Sequence, residues 1–244
     1  MDNSGRAPDS QADLPREVAE LVREASEAPT PSRRRRLTAR ISRTAARSGR
    51  ASWRGAQQGS RRLTAEVLAM APRLPVRDQE KLRAQFPGLG QDEMADALIR
   101  GAARSAAFVG AAAGAAMVLP LPSAPVEVAV ETLVLVGIEI KLIAELHEVY
   151  GMRAPGSRTD RMLAYVGAWA HRRGVAFAPA GLILVAGSPL RRRLRRRLIL
   201  RASRSAISVG PLLSGSIASA ALNRRETRRL GANVRDDLMR LGGH

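Results

Sequence analysis

The chain contains no cysteine, which excludes disulfides, thiolate-held zinc, iron–sulfur clusters and thiol nucleophiles. Histidine is nearly as scarce, and His147, His171 and His244 leave little from which to build an imidazole metal site. The seven aromatics (Trp53, Trp169, Tyr150, Tyr165, Phe86, Phe108, Phe177) are too few for a platform that stacks nucleic-acid bases. Lysine is almost missing: Lys81 and Lys141 are the only two, so 38 of the 40 cations are arginine. Neither lysine stands in a Gly-rich GK[ST] phosphate loop, and no serine sits in a GxSxG elbow.

What is present is positive charge and small residues. Forty basic against 22 acidic side chains leave +18 over 244 residues, a length that suits one large domain or a smaller one with an arm. The arginine bias with abundant alanine can reflect coding composition alone and does not by itself name a partner. The opening MDNSGRAPDSQAD has no apolar stretch behind a basic start, so no secretory signal is expected. Arg33–Arg36 is followed by LTARISR rather than an apolar run, which argues against a twin-arginine signal. The expected location is the cytoplasm, free or at the inner face of the membrane.

Residues 14–27, LPREVAELVREASE, predict a short amphipathic helix with Asp13 as cap and Pro15 in the first turn. Between Ala28 and Ala65 there is no acidic residue while arginine occurs eleven times. Arg33, Arg36, Arg40, Arg43, Arg47, Arg50 and Arg54 recur at spacings of 3 and 4. A helix would gather them into a stripe about 100° wide. Leu37, Ile41, Ala45 and Trp53 would form a thin apolar line beside it. Mutual repulsion, together with Ser48, Gly49, Ser52 and Gly55, predicts that residues 1–61 form a mostly disordered arm unless an anionic partner is present.

From Arg62 onward the pattern is helical. RRLTAEVLAMA and RDQEKLRAQF read as short helices, and 91–119 as one long or bent helix stopped by LPLPSAP. A strongly apolar helix covers about 124–150, with Gly151 placed as its left-handed cap. RTDRMLAYVGAWAHRRG and a polar helix ending near Leu241 follow later. Period-two alternation is nowhere sustained, so the class is all-α, a multi-helix bundle without a sheet.

An internal similarity stands within this pattern. LIRGAARSAAFVG (98–110) aligns without a gap onto LILRASRSAISVG (198–210), with eight of thirteen positions identical. The alignment predicts two related Ala/Gly-rich helical units packed about a pseudo-twofold axis. Gly110 and Gly114 in the first unit, with Gly210 and Gly215 in the second, are the candidates for close helix contact. Small-xxx-small spacing of this kind serves helix association in lipid and tight contacts in soluble cores alike.

Three uncharged runs, 105–126, 174–190 and 205–223, approach the length of a membrane span. Prolines, glycines and serines interrupt each of them, so they read as buried core helices or short hairpins able to dip into a bilayer. Beside the second run lie Arg191, Arg192, Arg193, Arg195, Arg196 and Arg197. An apolar stretch next to a cationic one matches an anionic cytoplasmic leaflet, where each nearby cation contributes about 1 kcal/mol. Stable anchoring takes two such signals, and Arg33, Arg34, Arg35, Arg36, Arg40, Arg43 and Arg47 form the second. The alternative partner is nucleic acid, its phosphates neutralised non-specifically by the arm.

Candidate chemistry is thin. Glu145, His147 and Glu148 mix carboxylate and imidazole without the HExxH spacing. Glu127, Glu131, Glu145 and Glu148, with Lys141, fall on one face of the 124–150 helix, where they read as a solvated or salt-bridged polar face. No catalytic, cofactor-binding or metal-ligating residue is assigned, and an enzyme is not expected.

LIRGAARSAAFVGAAAG, VEVAVETLVLVGIEIKLIAELHEVYGM and ASRSAISVGPLLSGSIASAALNRRETRRLG together resemble the EcsC family over about residues 78–240. The resemblance lies in a Gly/Ala-rich segment, a long apolar acidic helix ending in Tyr150-Gly151, and Gly210-Pro211, Gly215 and Asn223, followed by Thr227 and Gly231. The serine-rich last apolar segment departs from the family pattern and argues against full insertion into a membrane. The resemblance implies a helical, membrane-associated bacterial protein without a settled biochemical activity, in some cases linked to transporters or secretion. On this reading residues 62–244 are an EcsC-like helical domain. The protein is then expected to be a non-enzymatic, cytoplasmic-side protein that binds anionic lipid surfaces through its arginine clusters.

Overall fold

A computed structural model describes residues 13–27, 30–47, 56–116, 124–178, 181–184 and 212–242. In chain order the described elements are α1 (Leu14–Ser26), α2 (Pro31–Arg47), α3 (Ala56–Met70) with a 3₁₀ turn at Ala71–Arg73, α4 (Gln79–Gln85) and α5 (Gln91–Ala116). There follow α6 (Ala124–Val149), α7 (Arg158–Arg173), the strands β1 (Val175–Ala178) and β2 (Gly181–Leu184), and α8 (Leu212–Gly242). The class is all-α, as the periodicity indicates.

The organising element is α6. A helix apolar on every side must be surrounded, and every residue of α6 from Val128 to Leu146 is buried. The other seven helices all touch it. Leu133, Leu135, Ile140, Leu142 and Ile143 are among the largest fully buried side chains. The chain leaves α6 through Gly151, whose φ of 68° lies in the left-handed region, while Met152 N–H closes back on His147 O at 2.9 Å. The next helix, α7, opens with a reciprocal capping box between Ser157 and Asp160 and closes at left-handed Gly174.

The most extensive helix pairing joins α5 and α8 in antiparallel sense. Arg235 reaches Asp96 at 2.5 Å near one end, and buried Asn223 donates to Ala106 O at 3.3 Å farther along. Gly110 faces this contact: a Cβ there would lie 2.5 Å from Asn223 Nδ2 and 3.1 Å from Ser219 O. Gly231 does the same from α8, where a Cβ would meet Ile99 Cγ1 at 2.8 Å. Gly114 lies on α5 and Gly215 on α8, but their surroundings, like Gly210 itself, fall outside the described residues. So does the whole second copy of the internal similarity, 198–210.

Two expectations are corrected. The arginine-rich segment is not a disordered arm where it is described, because α2 is a helix docked on the bundle. Leu37, Ile41 and Ala45, the thin apolar line, are buried. The anionic partner that the segment needs is α1. Arg40 reaches Glu24 at 2.7 Å and Glu20 at 3.0 Å, Arg47 reaches Glu17 at 3.0 Å, and Arg33 reaches Glu27 at 3.1 Å. In turn α1 buries Leu14, Val18, Leu21, Val22 and Ala25. Asp13 occupies the cap position without a side-chain bond, its carbonyl accepting from Glu17 N–H at 2.9 Å. Trp53 lies outside the described residues.

The second correction is a small antiparallel hairpin, with Val175 opposite Leu184 and Phe177 opposite Leu182. It falls in the uncharged run 174–190, where Pro179 and Gly181 break a helix every few residues and leave only strand-length apolar pieces. Among the described residues no helix is long and apolar enough to cross a membrane.

Candidate anion-binding sites

The stripe on α2 divides into two kinds of arginine. Arg40 and Arg47 are turned to carboxylates of α1 and Arg33 to Glu27 at its C-terminal cap, as above, and hold two helices together. Arg35, Arg36 and Arg43 are exposed, Arg43 donating Nε to Ala39 O of its own helix at 3.3 Å. Arg34 lies on α2 with its side chain outside the described residues, and Arg191, Arg192, Arg193, Arg195, Arg196 and Arg197 lie outside them altogether.

A second cationic face is present on α8, which the residue-by-residue reading does not single out. Arg224, Arg225, Arg228 and Arg229 are exposed and have no carboxylate partner among the described residues. Their spacing of two pairs four residues apart puts them on one side of a helix. The signal is visible as NRRETRRLG, but buried Asn223, Thr227 and Leu230 are needed to show which side faces outward.

The acidic stripe of α6 is not a solvent face. Glu131, Glu145, Glu148 and Lys141 are buried rather than solvated, as is Glu139 on the same helix. The salt-bridged reading holds for Glu145, which pairs with Arg77 and Lys141, and for Glu148, while the Glu127 side chain lies outside the described residues. Arg173 grips Glu139 through Nε at 3.0 Å and Nη2 at 2.5 Å. Trp169 Nε1 (2.9 Å) and Thr227 Oγ1 (3.0 Å) donate to the same carboxylate. Arg153 pairs with Glu148. His147 places Nδ1 2.8 Å from Ile143 O, so Glu145, His147 and Glu148 turn to three different partners. Among the described residues no three His, Asp or Glu side chains are grouped to hold a metal.

Glu145 is the floor of a cleft. Its Oε1 accepts from Arg77 Nε at 2.7 Å and Lys141 Nζ at 2.6 Å, and its Oε2 from Arg77 Nη2 at 2.7 Å. Burial pushes the Glu145 carboxyl up, but the bonds and charges of Arg77 and Lys141 outweigh it and hold the group below its ordinary range. Lys141 moves down because burial disfavours its ammonium and the nearby Arg77 charge adds to this, together outweighing the charge and hydrogen bond of Glu145. The cleft encloses about 240 Å³ between the loop at Arg77, α4, α5 and α6, and Arg100 and Arg104 of α5 also line it. Sequence spacing placed Lys141 and Glu145 one turn apart, but Arg77 is 68 residues from Glu145 and Arg100 is on another helix.

Comparison of the chain with protein-family models, curated proteins and solved structures finds no match. The resemblance to the EcsC family therefore stands on the residues quoted for it alone.

Proposed function

We propose that this protein is a non-enzymatic helical protein of the cytoplasmic membrane face that binds anionic lipid surfaces through exposed arginines. The observation that carries the reading is the division of the arginines. Those needed by the fold are neutralised, as Arg40, Arg47 and Arg173 are. Arg35, Arg36 and Arg43 on α2, with Arg224, Arg225, Arg228 and Arg229 on α8, stay exposed. At about 1 kcal/mol for each cation that lies near an anionic leaflet, the three on α2 supply roughly 3 kcal/mol and the four on α8 roughly 4 kcal/mol. Arginine suits the task because its planar fork meets phosphate oxygens in pairs. The EcsC resemblance points the same way.

The test is co-sedimentation of the full chain with phosphatidylcholine vesicles, with and without phosphatidylserine. Binding is expected only to the anionic vesicles and is expected to fall as salt shortens the screening length. Replacing the seven exposed arginines by glutamine should weaken it at least about tenfold while leaving helicity unchanged. Equal binding to both vesicle types would refute the reading. Binding to duplex DNA without binding to either vesicle would favour nucleic acid instead.

A further inference from the structure

We propose that the cleft between α4, α5 and α6 is a binding site for a small phosphate monoester, held by Lys141 from inside and by Arg100 and Arg104 at the mouth. The proposal does not rest on the surface reading, since a cleft can bind a soluble ligand whether or not the protein meets a membrane.

The first argument is charge. Arg77, Lys141, Arg100 and Arg104 face the cleft with Glu145 as the one carboxylate, leaving three uncompensated positive charges. Arg100 and Arg104 stand one helical turn apart, where like charges repel, and no carboxylate partner reaches either among the described residues. By contrast Glu139 and Arg173, equally buried, are closed on each other and on Trp169, Thr227 and Glu226. The cleft is left open to an anion, while the Glu139 site is complete.

The second argument is donor geometry. An ammonium has three N–H donors, and among the described residues Lys141 gives one to Glu145 Oε1 at 2.6 Å and none to any other partner. Lys141 is 8% exposed, so bulk water does not freely take the other two. The two arginines add planar donor forks at the entrance. In a chain with 38 arginines, lysine at this position places a compact charge where a guanidinium would fill part of the space. About 240 Å³ lies below the roughly 300–1,000 Å³ of drug-sized pockets, so the occupant is small. A phosphate monoester, with a charge of about −1.5 to −2 and three acceptor oxygens, matches both the charge and the donors.

The same headgroup chemistry has two sources, a free phosphate monoester or phosphatidic acid in a membrane. Titration calorimetry of the full chain with inorganic phosphate and with glycerol 3-phosphate, at constant ionic strength, reads the first. Co-sedimentation with phosphatidic acid vesicles against phosphatidylserine vesicles of equal charge reads the second. Saturable binding is expected in at least one arm. There Arg100→Gln with Arg104→Gln, both exposed positions, should weaken it at least about tenfold. Lys141→Met should do the same, and Arg224→Gln with Arg225→Gln should leave the soluble ligands unaffected. No saturable binding of either soluble ligand up to about 10 mM, together with no preference for phosphatidic acid, would overturn the proposal. Equal weakening of soluble-ligand binding by the α8 variant, or an equal loss of the preference for phosphatidic acid over phosphatidylserine, would also overturn it, since that marks general charge attraction. Loss of phosphatidylserine binding with retained glycerol 3-phosphate binding would refute the surface reading and leave the cleft standing.

Discussion

At the scale of single residues, the structure sets buried charges against exposed ones. Removing Arg173 leaves Glu139, 1% exposed, without its main counter-charge. Arg173→Met should therefore lower stability by about 3–5 kcal/mol. Its neighbour Arg172 pairs with Asp237 with 27% of its side chain exposed, and Arg172→Met should cost at most about 1 kcal/mol. Urea unfolding of the two variants measures both losses. His147 makes a second residue-scale prediction. Burial holds its imidazole below the usual 6.5, the Arg172 charge adding to this while Ile143 O and the Glu148 charge oppose it. Its ring also lies against Tyr165, with centroids 4.8 Å apart. The folded chain thus binds a proton less readily than the unfolded one, and stability falls as pH drops through 6.5. Glu145 acts at lower pH: its depressed pKa contributes stability above 4.5 that is lost only as pH falls through the folded value. Replacing His147 by Gln should flatten the pH dependence of the melting temperature below pH 6.5 and leave the more acidic loss in place. An unchanged profile would rule out His147 as its source.

At the scale of elements, α5 and α8 depend on how closely two backbones approach. Gly110→Val puts a branched side chain where even a Cβ would lie 3.1 Å from Ser219 O. It should cost about 1–3 kcal/mol by overpacking, a few degrees of melting temperature. Gly167 of α7 meets nothing within 4 Å of an added Cβ. Gly167→Ala should therefore raise the melting temperature, by up to about 1 kcal/mol of helix propensity. Calorimetric melting of the two variants should give opposite signs. Helix positions are legible in the residues because periodicity and end signals are local: Ser157 and Asp160 open α7, and Gly151 ends α6. What α2 does is not legible there. Its repulsion is a property of its own residues, whereas Glu17, Glu20 and Glu24 of α1 and Glu27 just past its end, which neutralise it, meet it only after the chain turns.

At the scale of the whole molecule, the positive side chains, 40 against 22 acidic ones, are unevenly deployed. Some hold α1 on α2 and α7 on α6, some lie exposed along α2 and α8, and some converge on the cleft above Glu145. The residues themselves determine the helical class, the boundaries of most helices, the apolar character of α6 and the excess of arginine, since each follows from composition and spacing within one segment. Only the tertiary structure decides which arginines are neutralised, that the α6 carboxylates face partners rather than water, and that Arg77, Lys141, Arg100 and Arg104 share one cleft. The reason is range. Helix propensity and amphipathicity act over a few residues, whereas an ion pair such as Arg77 with Glu145 or Arg173 with Glu139 depends on distances that exist only when the helices around α6 are packed.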